Sequence, residues 1–323
     1  MHDKIICSVV VPLYNEEEVL LETYKRLKKV MDSLKDSYEI IFVNDGSRDK
    51  TAPMAYEICA NDKKIKLIDF ARNFGHQTAI TAGMDYSEGQ AIVVIDADLQ
   101  DPPELIPKML KKWKEGYDVV YGKRLARKGE TFFKKFTAKL FYRFLRRMTE
   151  VEIPVDTGDF RLIDRKVAEA LKLVNERSRY IRGIISWLGF KQIGIEFNRD
   201  KRFAGETKYP LKKMFKFAFD AITSFSYKPL KLASYTGFLL SFCSFIYLLV
   251  VLYTKLFSSE ITQPGWASTL AVNLFFNGIT LMILGIIGEY IGRIYDEAKG
   301  RPLYIIRQTK NFSEDKSNKI TMR

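Results

Sequence analysis

Three closely spaced carboxylates (Asp96, Asp98 and Asp101), the amide of Gln100 and the pair Pro102-Pro103 close an apolar, β-branched run, Ala91-Ile92-Val93-Val94-Ile95. Such a run reads as a buried parallel strand, and open α/β sheets bind ligands beyond the carboxyl ends of their strands. Asp96 and Asp98 stand two residues apart, so both point to one side if the strand continues through them. Two carboxylates facing one way, with Gln100 beside them, suit one oxygen-preferring divalent cation, Mg2+ or Mn2+. An isolated Asp-x-Asp is more often a capped turn, because Asp and Pro favour turns for local reasons. The metal reading therefore depends on what the rest of the chain delivers to the same place.

The elements that could deliver it alternate in the manner of βαβ units. Ile5 to Val11 reads as a first strand, closed by Pro12-Leu13-Tyr14-Asn15, and a helix is expected from about Glu16, with Val19, Leu20, Leu27, Val30 and Met31 at helical spacing. Tyr38 to Val43 is a second strand, stopped by the turn signal Asn44-Asp45-Gly46-Ser47. Lys66 to Phe70, Ala91 to Ile95 and Asp118 to Tyr121 follow as strands, with a helix starting near Gly75 to Thr78 between the first two. In a parallel sheet the polar ends of these strands meet. Tyr14-Asn15-Glu16, Asp45-Gly46-Ser47, Arg72-Asn73, Asp96 with Asp98, and Arg124 should converge on one rim, which makes a stronger site argument than any single motif.

Composition narrows the class. The 323 residues are 47% hydrophobic and 28% charged, which excludes a disordered or low-complexity chain. Cys7, Cys59 and Cys243 lie too far apart for a disulfide framework or a zinc pattern and suit a reducing compartment. Met1 to Lys4 is polar and runs straight into a strand, so no signal peptide is expected. A net charge of +13 invites nucleic acid or an anionic membrane as partner.

The distribution of that charge favours the membrane. Lys123 to Arg147 holds ten basic residues and one acidic one, Glu130, interleaved with a Phe-rich helical face. Leu211 to Phe225 repeats the pattern with Lys212, Lys213 and Lys216 opposite its apolar residues. Leu232 to Tyr253 and Ala267 to Ile287 are uncharged, largely apolar runs of about 20 residues, long enough to cross a hydrocarbon core. The short loop Ser258 to Trp266 carries Glu260 and no Lys or Arg, and Lys255 at the outer end of the first span can snorkel to the interface, while Lys228, Lys231, Arg293, Lys299 and Arg301 flank the pair. The positive-inside rule then places both ends in the cytoplasm. Anionic head groups, at about 1 kcal/mol per basic residue, account for the charge. No nucleic-acid-binding motif accompanies it, so no nucleic-acid partner is expected. Neither a Walker loop nor a G-x-G-x-x-G is present, which argues against P-loop NTPases and dinucleotide oxidoreductases.

Val11-Pro12-Leu13-Tyr14-Asn15-Glu16, Val43-Asn44-Asp45-Gly46-Ser47 and Asp96 through Glu104 resemble the family-2 glycosyltransferases of GT-A fold. Ala71-Arg72-Asn73-Phe74-Gly75-His76, Asp156 through Leu162 and Arg202 through Tyr209 are similar to the polyprenyl-phosphate glycosyltransferases, especially the bacterial bactoprenol glucosyltransferase branch. The resemblance covers nearly the whole chain apart from its tail. It implies an α/β fold with a mostly parallel, nucleotide-sugar-binding sheet, two interfacial helices and two transmembrane helices. Pro12, Tyr14, Glu16 and Asp45 would hold uracil and ribose; Asp96, Asp98 and Gln100 would hold metal and diphosphate. Arg124, Arg202 and Lys208 would bind phosphates, and Asp156 or Asp159 corresponds to a proposed base, although an acceptor phosphate is already anionic near neutral pH. Thr207 stands where the family more often has Ser, and Lys123 where a small residue is commoner, which leaves the phosphate contact open between Lys123 and Arg124. His76, a lone histidine in a loop, is read as a structural hydrogen-bonder.

These readings give a cytosolic catalytic domain over residues 1–210 (with an amphipathic helix at about 131–148), a juxtamembrane helix over 211–227, a two-span hairpin over 228–296, and a strand with a polar tail over 297–323. The expected activity is metal-dependent, inverting transfer of one sugar, glucose first, from a UDP-sugar to polyprenyl phosphate at the cytoplasmic membrane face. A different sugar is the nearest alternative. A non-catalytic nucleotide-sugar-binding membrane protein is the rival from another class. Pro302 to Arg307 reads as an edge strand, in this chain or across copies, and an exposed edge leads us to expect a homo-oligomer.

Overall fold

The protein is described from a computed structural model that covers residues 5–125, 154, 157–177, 179–198, 228–257 and 265–313. Both expected amphipathic helices, together with Asp156, Arg202 and Lys208, lie outside the described residues. The chain forms two compact units, one of Met1–Tyr142, Val151–Pro210 and Arg301–Arg323, the other of Arg143–Glu150 and Leu211–Gly300.

The first unit is built on an eight-stranded sheet. Its strands are β1 (Cys7–Leu13), β2 (Tyr38–Asn44), β3 (Ile65–Phe70), β4 (Ala91–Val94), β5 (Val119–Arg124), β6 (Thr157–Asp164), β7 (Gln192–Phe197) and β8 (Ile306–Lys310), in the order β7-β5-β6-β4-β1-β2-β3-β8. β1 runs parallel to β2 and β4, β2 to β3, and β5 to β7, while β6 and β8 run against their neighbours. All seven residues of β1 and of β2 are buried, as mainly apolar runs require of strands covered on both faces, with Ser8 and Glu39 hydrogen-bonded to each other inside. α1 (Leu20–Asp32), α2 (Thr51–Asn61), α3 (His76–Tyr86) and α4 (Ile106–Lys114) provide that cover, joined by α5 (Arg165–Leu173) and α6 (Ile181–Trp187). α1 buries Leu20, Thr23, Leu27, Val30 and Met31, the face its spacing predicts. α3 lies so close to the sheet that a Cβ on Gly83 would come within 2.2 Å of Val10 Cγ1.

Three expectations need correction. The strand does not continue through Asp96: β4 stops at Val94, and the chain turns through Leu99 at a φ of 58°. α1 begins at Leu20 rather than Glu16, because the amides of Glu16 and Glu17 are drawn to Thr51 Oγ1 and Asp49 Oδ2. The last strand lies at Ile306–Lys310 rather than Pro302–Arg307. Pro302 has no N–H for a ladder, and Tyr304 is buried in a stack on Phe70 instead of pairing. β8 pairs antiparallel with β3 of its own chain, so the edge behind the homo-oligomer expectation now lies on β8's outer side.

In the second unit, α7 (Lys228–Phe257) and α8 (Trp266–Ala298) are 30 and 33 residues long. Among the described residues, one stretch is long and apolar enough to cross a membrane: Phe275–Ala298, with a mean hydropathy of 1.5. It overlaps the second expected span and runs beyond it past Glu289 and Arg293, which pair one turn apart at 3.1 Å. Leu281, Met282 and Leu284 on it stand exposed. The apolar part of α7, Ala233–Tyr247, is shorter.

Candidate active site

The rim is held together by side chains that bind backbone across loops. Asn15 sits at a φ of 55°; its amide donates to Ser47 Oγ (3.0 Å) and its Oδ1 accepts from Arg48 N (2.9 Å). The loops after β1 and β2 are thereby fixed to each other. Asp45 fixes the second to a third: its buried carboxylate accepts the amides of Phe74 (2.6 Å) and Gly75 (3.0 Å) at the start of α3, and Asn73 Nδ2 donates to its carbonyl. Burial is the main influence on the Asp45 carboxyl and raises it, against these amides and the charges of His76 and Arg72. Gly46 makes the close approach possible. At a φ of 65° it is in the left-handed region, and a Cβ there would stand 2.5 Å from the backbone of Arg72 and Asn73.

Beyond β4, Thr23 Oγ1 donates to Ala97 O (2.7 Å), which ties the acidic turn to α1. Asp98 Oδ1 accepts the amide of Gln100 (3.2 Å). Arg124 crosses from β5 over Gly158, where a Cβ would meet its guanidinium at 2.3 Å, and brings Nη2 to 3.5 Å from Asp101 Oδ2. Lys123, by contrast, pairs with Glu196 at 2.8 Å, so Arg124 is the basic residue of the two that faces the acidic turn.

Opposite this turn, β6 contributes Asp159. Its Oδ2 lies 3.2 Å from His76 Nε2 and 3.0 Å from Gln77 Nε2, and its Oδ1 lies 3.1 Å from Arg182 Nε. Burial alone would raise the Asp159 carboxyl, but the His76 hydrogen bond and the charges of Arg182 and Arg161 outweigh it and hold the group far below the usual carboxylate range. Arg161, buried beside it, is lowered to about 10 by that burial. His76 also stands 3.5 Å from Asp96 Oδ1, so one imidazole bridges the acidic turn and β6. Burial disfavours its charged form, yet the Asp159 hydrogen bond and the charges of Asp96 and Asp159 raise it above the ordinary histidine value.

Asp96 is among the groups of this rim left in demand, as Asp159 Oδ1 is also. Asp96 Oδ1 is sealed from solvent and has no hydrogen-bond partner among the described residues. Its carboxyl is raised to about 6, chiefly by burial, with Asp159, Asp101 and Asp98 adding to the rise and His76 opposing it. A buried carboxylate oxygen without a donor, in a field of further carboxylates, fits a divalent cation, which would relieve both conditions. No group of three His, Cys, Asp or Glu residues with metal-holding geometry occurs among the described residues. A cation here would complete its shell with ligand phosphate oxygens and water, as Mg2+ commonly does.

Of the residues singled out from the sequence, Asp96 and Asp159 are joined through His76, Asp45 holds the loop that leads to it, Asp98 accepts from Gln100, and Arg124 reaches Asp101 of the same turn. Tyr14 is exposed just past β1, Glu16 is half-buried in the next turn, and Pro12 is buried within β1 opposite Val43. His76, Gln77, Arg161 and Arg182 complete the site, although sequence reasoning set His76 aside and gave the others no role. The one available signal was that His76 closes a motif, Ala71 to His76, and Arg161 lies inside another.

Residues 8–172 match Glycosyl transferase family 2, and residues 228–294 match the GtrB C-terminal hairpin. The chain is 62% identical to the uncharacterized glycosyltransferase YkcC of Bacillus subtilis strain 168, over 94% of this chain and 93% of that one. It is 40% identical to the prophage bactoprenol glucosyl transferase homolog of Escherichia coli K12, over 94% of this chain and 99% of that one. A solved structure of glucosyl-3-phosphoglycerate synthase from Mycobacterium tuberculosis, in complex with Mn2+, UDP and phosphoglyceric acid, superposes at a TM-score of 0.46 with 19% identity, over 68% and 76% of the two chains. The chain belongs to glycosyl transferase family 2 and is a glycosyltransferase. The resemblance to the bactoprenol branch holds, since relatives so named align along nearly its whole length.

Proposed function

We propose that this enzyme transfers a single hexose, glucose first among the candidates, from a UDP-sugar to polyprenyl phosphate at the cytoplasmic face of a membrane. The observation that carries the proposal is the extent of the likeness to proteins named bactoprenol glucosyl transferases. It covers 94% of this chain and spans both the rim and the helical hairpin. The exposed apolar side chains of α8 support a lipid environment, with both ends of the hairpin on the cytoplasmic side.

Pro12, Tyr14, Glu16 and Asp45 line the ends of β1 and β2 and are assigned to the uracil and ribose. Asp96 and Asp98, with Gln100, are assigned to a Mg2+ or Mn2+ ion. When bound, that ion supplies neutralisation of the diphosphate. Arg124 is assigned to the diphosphate itself, where its positive charge favours the leaving group. From the family likeness, Arg202 and Lys208 join it on the phosphates and Asp156 lies on the acceptor side. Asp159 orients rather than abstracts: its Oδ2 is engaged by His76 and Gln77, and the Arg182 charge stands 3.1 Å from its Oδ1. A phosphate monoester arrives as an anion near neutral pH, so displacement at the anomeric carbon with inversion proceeds without a protein base.

The test is incubation of membranes containing the enzyme with radiolabelled UDP-sugars and polyprenyl phosphate. Label in the lipid fraction with UDP-glucose as the best donor is expected. Label with a different donor would correct the sugar, and no lipid-linked label with any donor would overturn the proposal.

A further inference from the structure

The segment that follows the hairpin does more than extend the sheet. Its two ends are anchored by buried or multiply bonded groups. Tyr304, 1% exposed, stacks on Phe70 at 5.3 Å and reaches Asp85 with its hydroxyl at 3.1 Å. Asn311 Nδ2 lies 2.6 Å from Cys59 O and 2.7 Å from Ile65 O. Between these anchors the contacts lead inward. Ile305 O accepts the amide of Ala71 (3.0 Å), and Arg307 Nη2 donates to the Ala71 carbonyl (3.0 Å). Both polar groups of the first residue after β3 are thus held by the C-terminal strand, and that residue opens the loop leading to Asn73, Phe74, Gly75 and His76.

A second line runs through Asp69, which is 2% exposed. Arg307 Nη1 lies 3.7 Å from its Oδ2 and is the basic group within ion-pair distance among the described residues. The Tyr56 hydroxyl lies 3.3 Å from the same oxygen and 3.1 Å from Gln308 Oε1. On its other oxygen Asp69 accepts from Asn44 Nδ2 (2.6 Å), and Asn44 Oδ1 accepts the amide of Ser47 (3.3 Å). One exposed arginine therefore touches the origin of the loop Ala71 to His76 directly and reaches the turn Asn44 to Ser47 through Asp69, the two loops that Asp45 joins.

We infer that Arg307 is a positioning residue for the nucleotide donor: through Ala71 and the Asp69–Asn44 pair it holds the two loops at the spacing that donor binding needs. This rests on the assignment of Asp45 and its loop to the nucleotide. An edge strand serving only to cover the sheet would need Tyr304 and Asn311 but no cation aimed at a buried carboxylate. Asp69 already accepts hydrogen bonds from Asn44 and Tyr56, so the guanidinium adds to a carboxylate that is bonded without it.

The experiment compares wild type, Arg307→Ala, Arg307→Lys and Asn311→Ala as full-length solubilised proteins, by UDP titration, transfer kinetics and thermal melting. Arg307 has a 60% exposed side chain, so its removal leaves the fold intact. For Arg307→Ala we expect UDP binding about tenfold weaker and a matching rise in donor KM, with kcat changed less than about twofold. Arg307→Lys recovers part of the loss, because one ammonium can serve Ala71 O or Asp69 but not both. Asn311→Ala lowers the melting temperature and leaves UDP affinity unchanged. UDP affinity equal to wild type in Arg307→Ala, or an equal loss in Asn311→Ala, would overturn the inference. A wild-type enzyme that binds no UDP would instead remove the donor assignment and this inference with it.

Discussion

Glu39 and Asp96 are carboxylates at opposite ends of the same parallel strands, and the protein treats them oppositely. Glu39, 1% exposed at the start of β2, accepts from Ser8 Oγ at 2.5 Å and from the Glu88 amide at 2.7 Å, and its second oxygen pairs with Lys66 at 2.6 Å. Asp96, past the end of β4, keeps an oxygen sealed from solvent without a hydrogen-bond donor among the described residues and sits among three further carboxylates. The first has hydrogen bonds at one oxygen and a close cation at the other, and holds strands together. The second has the His76 imidazole 3.5 Å from its sealed oxygen and room for a further partner. A buried charge identifies a site less by its burial than by what has been left for a ligand to satisfy.

Breaking the incomplete side should cost activity and not stability. Asp96→Asn is expected to lower transfer by about a hundred- to a thousandfold while the melting temperature holds or rises, because it removes a poorly compensated charge. A clear fall in melting temperature would make Asp96 a structural residue after all. Chelation of divalent ions should suppress transfer to a similar degree and be reversed by added Mn2+ or Mg2+. Transfer that proceeds at full rate in chelator would sink the cation assignment. On the other side, Glu39→Ala leaves Lys66 with Glu88 at 3.3 Å in place of its nearer partner and removes the acceptor of Ser8 and of the Glu88 amide, and should cost about 3 kcal/mol of stability, with kcat/KM per folded molecule unchanged. Chemical denaturation followed by fluorescence, alongside the transfer assay, checks both halves. The smallest effect tests the support beneath Asp96: Thr23→Val removes the hydroxyl on Ala97 O and should cost about 1 kcal/mol, with a severalfold drop in transfer as the acidic turn loosens.

The sequence made the donor half of the fold readable and left the other half obscure for a physical reason. β1 to β5 are mainly apolar, β-branched runs ending in turn residues, and each lies within two or three residues of its expected place. β6 carries Asp159, Arg161 and Asp164 within eight residues, so the polar groups that make it functional hide its strand character. β7 is only partly buried and has no continuous apolar run. The same asymmetry governs the site. Asp45, Asp96 and Asp98 stand where strand ends put them, and the logic of parallel sheets finds them. His76 and Asp159 are 83 positions apart, and only the folded sheet makes them neighbours.

β6 also runs against β4 and β5, and Thr157 pairs with Lys123. The chain therefore leaves the sheet after β5 and re-enters it at β6 through adjacent points on the rim, beside Arg124 and Asp159. An excursion whose two ends are already neighbours can change length at a cost that grows only with the logarithm of that length. The sheet then acts as a fixed mount whose fittings need not match in length: lengthening or shortening the chain between β5 and β6 is expected to leave the bonds of Asp45 to the loop before α3, and of the turn after β4 to α1, in place.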